Sequence, residues 1–224
     1  MYDRHIVIDF EMNPVDGKRE DAHLLPKSEI IQIGAVKLDE DYNVIDSFNA
    51  FVCPQLNDKI TKHITQITGI TTEQVSNAEG LESVLQDFSR WIGEENSRIY
   101  AWSKNDLMQL REECAYKGIA IPDNMGKWID FQAVYGVLTR LSRRGRKISL
   151  TAAAERFCID VDKQKLHGAL YDAELTTKLL VPFLNGEYIA LMELYRVNTK
   201  KQPMTQTIGD KWGDILRQFA AQTC

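Results

Sequence analysis

Paired cysteines are missing from this chain of 224 residues, which has four in all, Cys53, Cys114, Cys158 and Cys224, scattered along it. Without paired spacing they argue against both a disulfide framework and a zinc site, and reduced thiols are expected. Long apolar runs are missing too. No stretch approaches the roughly 18 residues needed to cross a bilayer, and the first residues, Met1-Tyr2-Asp3-Arg4-His5, lead into a short apolar segment rather than a secretory pattern. A cytoplasmic protein with no membrane contact is expected. The chain also lacks net positive charge: its balance of −5 argues against a general polyanion binder, while leaving room for a local basic patch. Internal repeats are absent. What is present is 44% hydrophobic and 26% charged residues, an ordinary mixture for a folded globular protein. The length suffices for a substantial core, as one large domain or a domain with an appendage.

The segment His5-Ile6-Val7-Ile8-Asp9-Phe10-Glu11 is apolar and β-branched until it meets two acids, the pattern of a buried strand ending in a polar site. A polar loop from Asn13 to Lys27 precedes a second strand, Glu29 to Leu38. Turn residues Asp39 to Asn43 then predict a hairpin with a third strand, Val44 to Val52. Helical periodicity takes over from Thr61 to Ile92, with Leu81, Val84, Leu85, Phe88, Trp91 and Ile92 on one stripe. Arg98 to Trp102 reads as a short strand, Leu107 to Lys117 as a helix stopped at Gly118, and Trp128 to Asp130 as a brief last strand. Helices are expected near Phe131 to Leu141, Ser149 to Arg156 and Ala169 to Leu184. Three strands followed by alternating strands and helices predict an α/β domain with a mixed sheet covered by helices.

Side chains alternate across a strand, so the i, i+2 spacing puts Asp9 and Glu11 on one side, where their oxygens could converge on a hard cation. Taken alone, Asp-x-Glu is common by accident, and two solvated acids at a strand end are the plainer explanation. His167 and Asp172 stand at i, i+5, a rotation of about 140° on a helix. They can meet only if His167 lies on the preceding loop and folds back, which Gly168 would permit. An ordinary first-turn acid beside an exposed histidine is the alternative. Asp106 follows Ala101-Trp102-Ser103-Lys104-Asn105, where a buried strand turns into a helix; a helix cap there is its alternative. The weight lies in the ordered combination.

That order, Asp9-x-Glu11, then Asp106, then His167-x4-Asp172, resembles the DEDDh exonucleases of the RNase H-like superfamily. The likeness extends through Ser28-Glu29-Ile30-Ile31-Gln32-Ile33-Gly34-Ala35-Val36, Phe51-Val52-Cys53-Pro54 and Ile67-Thr68-Gly69-Ile70, and covers residues 4 to 184. The stretch Ala101 to Leu110 departs from the Gly-His-Asn form of the proofreading and oligoribonuclease branches. It is more similar to the ERI-1-like branch and to bacterial proteins of the sporulation-inhibitor type, which points towards RNA. The resemblance implies an RNase H-like mixed sheet of about five strands flanked by helices, in a domain of residues 1–184. It also implies a 3′-to-5′ exonuclease using two divalent cations, Mg²⁺ or Mn²⁺, on single-stranded RNA or DNA with a free 3′ end. Asp9, Glu11 and Asp172 would hold the metal on the nucleophile side, with Asp9 also reaching the second and Asp106 supporting it through water. His167 would be the general base.

Substrate contacts are expected from the Phe10 and Met12 stretch beside the terminal nucleotide, against the alternative that Phe10, opposite the acids, is core. Arg140, Arg143, Arg144, Arg146 and Lys147 form the densest basic run. They would grip backbone phosphates, with a solvated loop as the alternative. Residues 185–224 contain amphipathic stretches. They are expected to be a helical extension packed on the same domain, with a homodimer or protein-partner helix as the other reading.

Overall fold

The computed structural model describes residues 2–15, 25–139 and 147–189. Five strands run in the order β3-β2-β1-β4-β5. They are β1 (Arg4–Pro14), β2 (Ser28–Leu38), β3 (Val44–Phe51), β4 (Ser97–Ala101) and β5 (Trp128–Asp130). β1 pairs antiparallel with β2 and parallel with β4, and β4 pairs parallel with β5, so the sheet is mixed. The carboxyl ends of β1, β4 and β5 therefore reach the same edge.

Seven α-helices occur among the described residues: α1 (Lys62–Thr68), α2 (Thr72–Ser76), α3 (Leu81–Ile92), α4 (Asn105–Lys117), α5 (Phe131–Leu138), α6 (Leu150–Arg156) and α7 (Ala169–Leu184). Local chemistry sets their ends. Thr71 and Gln74 form a reciprocal capping box on α2, Ser149 caps α6 through the Ala152 N–H, and Gly118 closes α4 in the left-handed region at φ 67°. None of the described helices is long and apolar enough to cross a membrane. Cys53, Cys114 and Cys158 are free, and burial pushes the Cys114 thiol up to about 11.

β1 is covered on both faces, which accounts for its unbroken apolar run. Ile6, Ile8 and Phe10 pack with Leu81, Val84, Leu85, Phe88 and Ile92 of α3 and with Leu110 and Cys114 of α4. On the opposite face Val7 packs with Tyr100, Phe131, Tyr135, Leu175 and Leu179. Strand alternation thus turns Asp9 and Glu11 towards the α7 side. The strand runs further than its sequence suggests: past the acids it carries Asn13, fully buried, in place of the expected loop start.

A buried polar network braces the edge of this frame. Lys117 bonds Glu29 at 2.9 Å and Glu113 at 2.7 Å, and both carboxylates are fully buried. Glu29 also accepts the backbone N–H groups of Gln55, Leu56 and Asn57, while Glu113 accepts that of Ile30. Burial alone would lower the Lys117 pKa, yet bonding to the two carboxylates raises it. Asn13 joins the same region to β1, giving its amide to Lys59 O and accepting the Thr61 N–H.

Candidate active site

Asp9 and Glu11 pair in register with Gly34 and Gln32 of β2, and a register irregularity follows at once between Glu11 and Met12. Gly34 is the residue that lets a helix approach them. A β-carbon there would lie 2.1 Å from the Leu170 N and 2.2 Å from the Ala169 carbonyl carbon. Only glycine admits the first turn of α7 directly onto the sheet opposite Asp9.

That first turn carries Asp172, whose N–H bonds Gly168 O, and the residue before the helix cap is His167. His167 is exposed and stands in the left-handed region at φ 62°. The chain folds back there at the histidine itself, while Gly168 stays extended at φ −108°. The result is a convergence: one carboxylate oxygen each from Glu11 and Asp172 and one ring nitrogen of His167 lie within 4.8 Å of one another. The i, i+5 pair meets because its members belong to different local conformations.

Asp106 enters from the other side. β4 ends at Ala101, so the β1 backbone beyond Ile8 loses its parallel partner. The Phe10 N–H left over there donates to Asp106 Oδ1 at 3.2 Å. Asp106 is 5% exposed and lies in the first turn of α4, but the helix cap is Lys104, without a side-chain bond. Its carboxylate serves the strand edge rather than the helix end.

Burial, and for Asp9 and Glu11 the neighbouring acids as well, raises the proton affinity of all four carboxyls. Burial and then the charges of Asp106, Asp172 and Glu11 push Asp9 well above the ordinary carboxylate range. Burial, with Asp172 and Asp106, raises Glu11 to about 8. Burial takes Asp106 to about 7 against the backbone bonds that favour its charge, with Asp130 adding to the rise. Burial raises Asp172 as well, partly offset by His167. A buried Asp172 Oδ1 has no hydrogen-bond partner within the protein. Crowded, desolvated carboxylates with an unsatisfied buried oxygen are what a hard divalent cation would relieve, and oxygen donors with one imidazole suit Mg²⁺ or Mn²⁺.

Of the expected substrate contacts, Phe10 is 5% exposed and meets Trp128 edge-on at 6.2 Å between ring centroids. Its side chain packs in the core, the alternative given for it, as strand alternation requires. Met12 is half-buried against the same core. Trp102 is also core. Arg140, Arg143, Arg144 and Arg146 lie outside the described residues, as do residues 190–224 of the expected extension; Lys147 is exposed. Sequence reasoning did not single out Gln32, which touches α7 (Ala169 N–H to Gln32 Oε1, 3.1 Å). Its position on the strand facing Asp9-x-Glu11 was the available signal.

A mixed five-stranded sheet with four acids and a histidine gathered at one edge defines an RNase H-like nuclease frame. Residues 6–180 match the exonuclease family designated RNase_T, and the chain belongs to that family. Among its relatives, a probable 3′-5′ exonuclease KapD of Bacillus subtilis is 32% identical over 117 residues, 52% of this chain and 56% of that protein. ERI1 exoribonuclease 2 of Danio rerio is 29% identical over 196 residues, covering 78% of this chain and 34% of its own length. The chain thus spans about half or less of these relatives. Among solved structures, the nuclease domain of 3′hExo, a DEDDh family member bound to rAMP, superposes with a TM-score of 0.70 at 25% identity. That match covers 83% of this chain and 93% of the other. Exonucleases of this family use divalent metal ions.

Proposed function

We propose that the protein is a two-metal-dependent 3′-to-5′ exonuclease acting on single-stranded nucleic acid, with RNA preferred over DNA, and that it works in the cytoplasm. The observation that carries the reading is the convergence of Glu11, His167 and Asp172 within 4.8 Å. It lies beside Asp9 and Asp106, whose charges couple to the same cluster. Asp9, Glu11 and Asp172 would hold one cation, and Asp9 with Asp106 would serve the second. When bound, a cation pair activates water and neutralises charge on the phosphoryl and departing 3′ oxygens.

The residues themselves do the rest. His167, exposed and next to Glu11, takes the proton from the attacking water as general base. Asp106, tied to the Phe10 N–H, keeps its carboxylate fixed relative to the strand that carries Asp9 and Glu11. Preference for RNA is supported by the ERI1 relatives, whose names are those of exoribonucleases. Arg143, Arg144 and Arg146 are proposed to hold backbone phosphates, and Met12 to border the terminal nucleotide.

The test compares RNA, DNA and 3′-phosphorylated strands of one sequence, with Mn²⁺ and with EDTA. Mn²⁺-dependent shortening from a free 3′ end, faster on RNA, is expected. Full activity in EDTA would overturn the metal mechanism, and equal rates on RNA and DNA would overturn the preference.

A further inference from the structure

We infer that Gln32 is a positioning residue of the site: its amide oxygen captures the first N–H of α7 and so sets His167 and Asp172 opposite Glu11. The inference rests on the metal-dependent reading above. Helix starts leave backbone N–H groups without intrahelical partners, and a side chain at the cap usually takes one of them. The α7 cap is Gly168, which has no side chain to offer. Gln32 supplies the missing acceptor from another element, its Oε1 receiving the buried Ala169 N–H at 3.1 Å.

Two further observations make this a directed contact. Gln32 Nε2 donates to Asn49 Oδ1 of β3 at 2.9 Å, so the amide is oriented with its oxygen towards α7. Gln32 also pairs in register with Glu11, and Gly34, two residues on along β2, pairs with Asp9 and leaves room for Ala169 and Leu170. One strand therefore fixes the helix start by a hydrogen bond at one position and by close approach at the next on the same face. His167 lies two residues before the captured N–H and Asp172 three residues after it. A shift of that anchor moves both relative to Glu11.

The experiment compares full-length wild type, Gln32→Met and Gln32→Glu. Mn²⁺ binding is measured by calorimetry, together with kcat, KM for single-stranded RNA and Tm. Methionine keeps the length without the acceptor, whereas glutamate keeps an acceptor oxygen, and Asn49 can turn its amide to donate. Gln32→Met is expected to weaken Mn²⁺ binding and lower kcat at least ten-fold, with KM within two-fold and Tm within a few degrees of wild type. Gln32→Glu, which keeps the acceptor but adds a charge opposite Glu11, is expected to lose less binding and turnover than Gln32→Met. Wild-type Mn²⁺ affinity in Gln32→Met, or equal losses in the two variants, would overturn the assignment. Should Gln32→Met not fold, Asn49→Ala at an exposed β3 position releases the amide and must weaken Mn²⁺ binding in the same direction; unchanged affinity there overturns the assignment. A wild type that binds Mn²⁺ yet shortens no strand overturns the nuclease reading alone, since calorimetry still decides the role of Gln32.

Discussion

In the proposed chemistry His167 and Asp9 occupy opposite positions. The histidine is exposed and stands outside the helix that carries Asp172. Replacing it with alanine is expected to leave Mn²⁺ and RNA binding in place while lowering kcat by about 10²–10⁴-fold, the usual contribution of a general base. Single-turnover rates at saturating Mn²⁺ measure this, and unchanged turnover would remove His167 from the role. Asp9, by contrast, is held at high proton affinity by burial and by three neighbouring acids. Such a carboxyl binds its proton more tightly when folded than when unfolded. Its ionisation therefore destabilises the metal-free fold progressively as pH rises above the unfolded value near 4, until the folded pKa is passed. Glu11, at about 8, extends that window to pH 8. Asp9→Asn and Glu11→Gln should melt close to wild type at pH 5 in EDTA and several degrees higher at pH 8, while losing the Tm gain that Mn²⁺ gives the wild type. A gain that does not grow with pH would mean that the acids are neither desolvated by burial nor repelling one another. Each of these residues was visible in the sequence, but only as a candidate. Strand alternation could place Asp9 with Glu11, whereas nothing local could show that His167 would adopt a left-handed conformation and turn towards them.

At the level of elements, the site depends on α7 lying against β2 and on α4 lying under β1. Gly34→Ala would drive a methyl into the backbone of Ala169 and Leu170. A loss of roughly 1–3 kcal/mol is expected, with reduced Mn²⁺ affinity as α7 lifts from the sheet. Urea unfolding with and without Mn²⁺ checks both, and an unperturbed variant would contradict the close approach. α4 is pinned by Lys117 between two buried carboxylates. Lys117→Met removes their counter-ion and leaves only backbone and amide donors, so stability should fall by about 3–5 kcal/mol in urea unfolding at pH 7; a neutral result would show that water reaches the network. The elements themselves were largely legible: the hairpin, the α3 stripe, the Gly118 stop of α4 and the short β5 all follow from period and turn chemistry. The continuation of β1 through Asn13 was not, because its support comes from Lys59 and Thr61, far away in sequence. The trans cap of Gln32 on α7 was hidden for the same reason, since it joins residues 137 positions apart.

For the whole molecule, the acidic balance of −5 and the acidic site must both be reconciled with the polyanionic substrate proposed for it. Cations at the carboxylates resolve the second conflict. Arg143, Arg144 and Arg146, outside the described residues, are proposed to resolve the first. Neutralising all three should flatten the dependence of RNA affinity on salt concentration, because fewer counterions are then released from the strand; an unchanged slope would assign the run to solvent. The fold class was readable because the order of strands and helices admits few topologies. Substrate preference was not, because discrimination of ribose depends on where a 2′-hydroxyl meets the protein. The most direct test of the account follows a 5′-fluorescent single-stranded RNA through time with wild type and Asp9→Asn, in Mn²⁺ and in EDTA. A ladder that shortens from the 3′ end is expected only for wild type in Mn²⁺. Equal degradation by Asp9→Asn, or a ladder that persists in EDTA, would contradict it.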